Sequence, residues 1–159
     1  MSDAEMREVV TIDGKNITIK SSAKPVENNG LSDEGDALLR VNAFDPALKP
    51  ENYSKADGAP LRLFDATGVK VDVSKRSKED MGFWHRNVDA HEIIFCVRGA
   101  LGRETELGTV TLHEGEMILI PRGITHRSFL VDESAEENIL LELKISGEIT
   151  YTGPDSVTG

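Results

Sequence analysis

The chain has 159 residues, and its 18 Lys and Arg against 28 Asp and Glu give a net charge of −10. This length is that of one domain and is sufficient to bury a hydrophobic core. The acidic balance argues against nucleic-acid binding, since phosphate backbones would be repelled. Met1 to Lys20 lacks the apolar stretch of a secretory signal. No apolar run approaches the roughly 18 residues that a membrane span needs. The single cysteine excludes an internal disulfide. We therefore expect a soluble, cytoplasmic protein that binds neither nucleic acid nor membrane.

The N-terminal part is sparse in large apolar residues, but it contains one clear hairpin pattern. Two β-branched segments, 9–12 and 16–19, flank the pair Asp13-Gly14, which tolerates the positive φ angles of a tight turn. We expect residues 1–60 to form a hairpin and loop extension packed on a main domain of residues 61–151. Residues 152–159 are expected to form a flexible tail.

From residue 61 onward, short apolar segments alternate with turn residues. The predicted strands are 61–64, 69–73, 93–97, 109–112, 117–120, 128–131 and 138–146. Segment 93–97 is continuously apolar, which predicts a strand buried on both faces. Segment 132–144 begins like a capped helix, but Leu141, Leu143 and Ile145 alternate with polar residues, so its second half predicts a strand. Several short strands at this spacing favour a β-sandwich or barrel.

Two segments place histidines at regular distances from glycines. The first contains His85, Asn87, Glu92 and Gly99, and the second contains Gly115, Pro121, Gly123 and His126. This pair resembles the two sequence motifs of the cupin family. The second motif is matched at every position through His126, whereas the first has Asn87 where the family has a second histidine. The resemblance covers roughly residues 60–146 and implies an all-β double-stranded β-helix, the cupin jelly-roll barrel, with extra N-terminal strands.

Elementary geometry agrees with this resemblance. His85 and Asn87 are two residues apart, so on a strand they point to the same face. Glu92 follows across a turn and His126 follows a Pro-x-Gly turn, and an antiparallel barrel can bring these side chains together. Two histidines and a carboxylate are the ligand set of a non-haem Fe(II) centre with open positions. We expect His85, Glu92 and His126 to hold a divalent metal, Fe(II) in the first instance, with Zn, Mn or Ni as alternatives.

A narrower likeness joins 105–108 and 115–126 to the cupin modules of the homogentisate 1,2-dioxygenase group. His85-Arg86-Asn87, followed by an acidic residue and Glu92, points the same way. This likeness implies an Fe(II) ring-cleaving dioxygenase or a relative. Homogentisate dioxygenases are much longer chains, so the likeness supports a lineage and does not specify a substrate.

Three further residues complete the predicted site. His91 neighbours Glu92 and would face the opposite side of a regular strand, although a β-bulge could exchange the two as ligands. Asn87 would line the metal as a catalytic residue, since an amide is a poor ligand beside imidazole, and its presence is also compatible with a lost metal site. One inward arginine could pair with a substrate carboxylate, and Arg98 is the one assigned a catalytic role. The other arginines near the motifs are Arg86, Arg103, Arg122 and Arg127.

These observations predict a metal-dependent, dioxygenase-like oxidoreductase acting on a small aromatic or organic acid. Two alternatives remain open: a metal-dependent lyase, decarboxylase or isomerase, and a non-enzymatic cupin that binds a small molecule without metal. We also expect a homodimer, because the strand edges of the N-terminal hairpin need to be covered.

Overall fold

A computed structural model of the chain describes residues 6–21, 39–49, 60–76, 84–131 and 137–158. The chain divides into two compact units, Met1–Val41 and Asn42–Gly159. Among the described residues, no helix has the length and apolar character that a membrane crossing requires. The two units are described in turn.

The first unit contains an antiparallel hairpin of β1 (Met6–Ile12) and β2 (Lys15–Ser21). Asp13 and Gly14 form its turn with φ angles of 49° and 74°, the left-handed values that a two-residue hairpin turn requires. The predicted hairpin is therefore confirmed. Residues directly opposite share a face, so Val10 and Ile17 lie on one face and Val9 and Thr18 on the other.

The second unit contains eight strands in its described part. They are β3 (Leu61–Ala66), β4 (Val69–Arg76), β5 (His91–Arg98), β6 (Ala100–Thr105), β7 (Gly108–His113), β8 (Met117–Ile120), β9 (His126–Leu130) and β10 (Asn138–Ile145). A five-stranded sheet has the order β3-β4-β10-β5-β8, and a three-stranded sheet has the order β7-β6-β9. All pairings are antiparallel. A single 3-10 turn, Asp155–Val157, follows the last strand.

Every strand predicted in the second unit is present, and the all-β fold class is confirmed. Strand β6 was not predicted, because it carries Gly102 and two charged residues. The prediction that segment 93–97 is buried on both faces is wrong. Its burial alternates, with Ile94 and Cys96 fully buried and their neighbours partly exposed, as in an ordinary strand with one face inward.

The hydrophobic core lies between the two sheets. It contains Ile94, Cys96, Ile120 and Leu140 from the five-stranded sheet and Leu101 and Leu112 from the three-stranded sheet. Side chains alternate between the two faces of a strand. The positions that share the alternation of these core residues therefore point into the space between the sheets.

Toward one end of the interior, these inward positions become polar. Strand β5 changes from Cys96 and Ile94 to Glu92, and β10 changes from Leu140 to Glu142 and Lys144. Strand β6 changes in the same way from Leu101 to Arg103. Register places Lys144 opposite Glu92 and Glu142 opposite Asp72. The polar residues buried here are Asp72, Glu92, Arg103, His126, Ser128 and Glu142.

Candidate metal and ligand site

The two histidine-containing segments meet through their backbones. His85 and His126 form an antiparallel bridge, in which each backbone N–H donates to the other's carbonyl at 3.0 and 2.8 Å. The two imidazole rings stand edge to face, with centroids 4.3 Å apart. The N–H of Gly123 donates to the Asn87 carbonyl at 2.7 Å. The predicted convergence of His85 with His126 is therefore present in the structure.

His126 has both ring nitrogens in defined surroundings. Its Nδ1 lies 2.9 Å from the carbonyl oxygen of Ile124, and a carbonyl can only accept, so Nδ1 carries a proton. In the neutral ring, Nε2 then presents a lone pair. Nε2 is buried, has no hydrogen-bond partner among the described residues, and lies 3.4 Å from Glu92 Oε2.

Glu92 begins the inward row of β5 and is almost completely buried. The side-chain N–H of Asn87 donates to Glu92 Oε2 at 2.9 Å. Burial acts to raise the pKa of Glu92, but contact with His126 and the positive charges of Arg103 and Lys144 outweigh it and hold the pKa below its ordinary value. The carboxylate is therefore kept ionised at a buried position beside His126.

The facing atoms of His126 and Glu92 are both acceptors when the imidazole is neutral. Two lone pairs 3.4 Å apart repel unless a proton or a cation lies between them. Donors that each bind one ion at about 2.1 Å with a roughly tetrahedral angle lie about 3.4 Å apart, which is the separation found here. This donor pair therefore fits a divalent ion.

The predicted three-residue ligand set is only partly assembled. Within the described residues, no group of three or more His, Cys, Asp or Glu side chains is arranged to hold a metal ion. His85 contacts His126 ring to ring, and Asn87 occupies the side of Glu92 where the cupin pattern has a histidine. The metal interpretation thus depends on Glu92 and His126, with His85 as the third donor.

His91 and Arg98 are not brought to this group. The backbone N–H of Arg122 donates to His91 Nδ1 at 3.0 Å, and His91 Nε2 lies 3.9 Å from Glu148. No β-bulge interrupts the pairing of His91 and Glu92 with β10, so the two side chains keep opposite faces. The Arg98 guanidinium lies 4.1 Å over the Phe44 ring on an exposed side chain.

The sequence prediction missed a buried set of charged residues beside the site. Asp72 pairs with Arg62 and with Lys144 Nζ, the latter at 2.7 Å. Glu142 lies 3.8 Å from Lys144 Nζ and 3.4 Å from Arg103 Nη2. A usable signal was present in the period-two pattern for part of this set, because Glu142 and Lys144 alternate with the core residue Leu140 and Arg103 alternates with Leu101.

No protein-family model and no curated protein matches the chain. Solved structures do match it. A candidate mannose-6-phosphate isomerase from Ralstonia eutropha is 20% identical with a TM-score of 0.57, and the match covers 69% of this chain and 100% of that one. A cupin domain from Bordetella pertussis is 27% identical with a TM-score of 0.45, over 56% and 93% of the two chains. A cupin protein from Bacteroides fragilis is 19% identical with a TM-score of 0.49, over 69% and 98%.

The antiparallel all-β architecture and the likeness to the Ralstonia eutropha structure identify a jelly-roll fold of the cupin type. Cupin-domain proteins are among the solved structures that the chain resembles. The resemblance to the homogentisate dioxygenase group stays a prediction.

Proposed function

We propose that this chain is a metal-dependent cupin that acts on a small organic acid, with dioxygenase-type oxidation as the first reaction to test. His85, Glu92 and His126 would hold the ion. A divalent metal in such a site supplies Lewis-acid chemistry and a template for substrate and O₂. The chain's own residues orient the donors: Ile124 fixes the His126 tautomer, and Asn87 holds the Glu92 carboxylate.

One observation carries this proposal. His126 Nε2 is buried without a hydrogen-bond partner among the described residues and faces the Glu92 carboxylate at 3.4 Å. A buried arrangement of two acceptors is unfavourable unless a positive species is shared between them. A metal ion at ordinary ligand distances satisfies both atoms at once.

The direct test is metal content and affinity of the purified chain. We expect one divalent ion per chain after reconstitution, measured by elemental analysis and by competition with a chromogenic chelator. His126→Ala should weaken zinc binding by at least about tenfold, because it removes a ligand. His113→Ala is the matched control, since His113 is exposed and pairs with Glu116. Equal zinc affinities of the two variants would contradict the metal site.

A metal-free binding protein is the second candidate function. It is favoured by the Asn87 hydrogen bond, which already occupies Glu92 Oε2, and by the incomplete three-residue set among the described residues. In that case a proton on His126 would pair with Glu92. Wild-type protein that takes up no zinc, manganese or iron, and still binds a small organic acid, would establish this candidate instead.

Anaerobic reconstitution with Fe(II) separates the enzymatic possibilities. Oxygen uptake with a panel of dihydroxy aromatic acids would support dioxygenase-type oxidation. Turnover with zinc or manganese in the absence of oxygen would support a lyase, decarboxylase or isomerase instead, because these reactions need no redox-active metal.

A further inference from the structure

Arg103 is the most unusual buried charge in the structure. Its side chain is only 3% exposed, and it reaches from β6 in one sheet to Glu142 on β10 in the other, at 3.4 Å. Its Nε–H is buried and has no hydrogen-bond partner among the described residues. A guanidinium cannot lose its proton in a protein, so this donor requires an acceptor from elsewhere.

Arg103 ends a row of five alternating charges, which we name the interior ion row. The row consists of Arg62, Asp72, Lys144, Glu142 and Arg103, and each member pairs with the next. Arg62 at the outer end of the row also pairs with Asp65, whereas Arg103 at the inner end has Glu142 as its one ion-pair partner among the described residues. Burial and the negative charge of Glu92 raise the pKa of Glu142, against the effects of Arg103, Lys144 and Arg76.

The inner end of the row lies at the candidate site. Lys144 is directly opposite Glu92 in the β5–β10 register, and Arg103 is directly opposite Ser128, two residues after His126. The positive charge of Arg103 also contributes to the lowered pKa of Glu92.

We propose that Arg103 receives a carboxylate group of the ligand through its free Nε–H, beside the Glu92–His126 pair, and so determines specificity for carboxylic acids. This inference rests on the proposed function for the existence of a ligand at this site. A planar carboxylate matches the guanidinium geometry. A phosphate dianion would bring an additional negative charge close to Glu92 and Glu142.

Benzoate and benzamide form a suitable probe pair, because they differ in charge and are nearly equal in size. In wild-type protein, one arginine Nε–H signal should shift with benzoate in nitrogen-15 NMR and stay in place with benzamide. Inorganic phosphate is the third arm, and stronger binding of phosphate than of benzoate would overturn the choice of carboxylate. The shifting signal should be absent in Arg103→Lys.

Two variants measure the contribution of the side chain. Arg103→Gln should weaken benzoate binding by about 10- to 100-fold, the range for losing a charged hydrogen bond. Arg127→Gln is the matched control, since Arg127 lies on the neighbouring strand and pairs with Glu104; its affinity should stay within about twofold. If both variants bind benzoate equally well, the proposal is wrong. If Arg103→Gln does not fold, the wild-type NMR titration still decides.

Titrations in the presence of a chelator and of zinc separate this inference from the proposed function. An Arg103 shift in both states supports the carboxylate site. A shift without any zinc uptake retains the carboxylate site and rejects the metal. Zinc uptake with no Arg103 shift in either state rejects the carboxylate site and retains the metal.

Discussion

The imidazole of His126 is oriented by the carbonyl of Ile124, and this contact directs Nε2 toward Glu92. Backbone carbonyls commonly orient metal-binding histidines in this way, because they fix the tautomer and the ring plane. Asn87 acts on the other partner by donating to Glu92 Oε2. The chemistry of the site therefore depends on single hydrogen bonds to each of its two facing residues.

Asn87→His should tighten zinc binding by about tenfold or more, because an imidazole adds a strong ligand where an amide adds a weak one. The same change should slow turnover, since it fills a position that substrate or O₂ would use. Chelator competition measures the affinity. Asn87→Ala is the control for loss of the hydrogen bond to Glu92. An unchanged zinc affinity in Asn87→His would place residue 87 outside the ligand set. Faster turnover would show that asparagine in place of the motif's histidine has reduced the activity of the site.

Asp72 is the second residue whose environment predicts a measurable effect. Burial acts to raise its pKa, but hydrogen bonds from Arg62 and Lys144 outweigh it and hold the pKa below its ordinary value. A lowered folded-state pKa gives stability that is present above about pH 4 and is lost as the pH falls through the folded pKa.

Asp72→Asn should therefore lower the free energy of unfolding at neutral pH by about 2 kcal/mol and flatten its decline in acid. The loss is smaller than for a fully buried pair, because Arg62 and Lys144 remain partly hydrated. Urea unfolding at pH 7 and at pH 3 to 4 measures both effects. Asp65→Asn is the control, since Asp65 is exposed and also pairs with Arg62. The same loss in both variants would contradict a special role for Asp72.

Motif spacing predicted that His85, Glu92 and His126 come together, because it reports backbone turns. In the structure, Glu92 and His126 approach to 3.4 Å and His85 contacts the His126 ring. The sequence could not identify Arg103, since five arginines lie near the motifs and only the fold determines which one points inward. The alternation of Arg103 with Leu101 indicated the correct face. That signal required β6 to be predicted as a strand in the first place.

At the scale of elements, β6 shows why a strand can escape prediction. Ala100–Thr105 contains one large apolar residue, one glycine and two charged residues, so neither propensity nor pattern favours a strand. Pairing with both β7 and β9 makes it the central strand of its sheet. Its glycine has a packing role, because a Cβ at Gly102 would lie 2.2 Å from the Phe129 ring.

Gly102→Ala should destabilise the fold by about 2 kcal/mol, because a methyl group overlaps a side chain on the adjacent strand. Thermal unfolding followed by circular dichroism measures the change. Gly147→Ala is the matched control, since a Cβ there meets nothing within 4 Å and its φ is not in the positive region. A stability of Gly102→Ala equal to that of the control would show that Phe129 moves aside without cost.

At the scale of the whole molecule, the positions of all strands except β6 were predictable from the sequence, and strand order was not. Alternation and turn residues indicate where strands lie, but β10 pairs with both β4 and β5, which are far from it in the chain. Such pairings depend on packing between sheets and not on local sequence. The polar end of the interior is a product of this topology, because it joins residues from five different strands.

The hairpin β1–β2 predicts an assembly. Four of its five aliphatic residues, Val10, Ile12, Ile17 and Ile19, share one face, and Ile17 and Ile19 are 45% and 47% exposed in the single chain. A two-stranded hairpin is only marginally stable alone, and an apolar face of this kind is stabilised by a partner. We expect a homodimer in which these N-terminal strands pack against the second copy and extend its sheet.

Light scattering should return twice the 17.4 kDa mass of the chain. The double change Ile17→Ser and Ile19→Ser should shift the protein toward monomer, because it removes apolar area from the proposed interface. Val9→Ser is the matched control, since Val9 is 62% exposed on the opposite face of the same hairpin. A monomeric wild type at high concentration would reject the dimer. Dissociation by Val9→Ser alone would assign the interface to the other face, because that change leaves the Ile17 and Ile19 face intact.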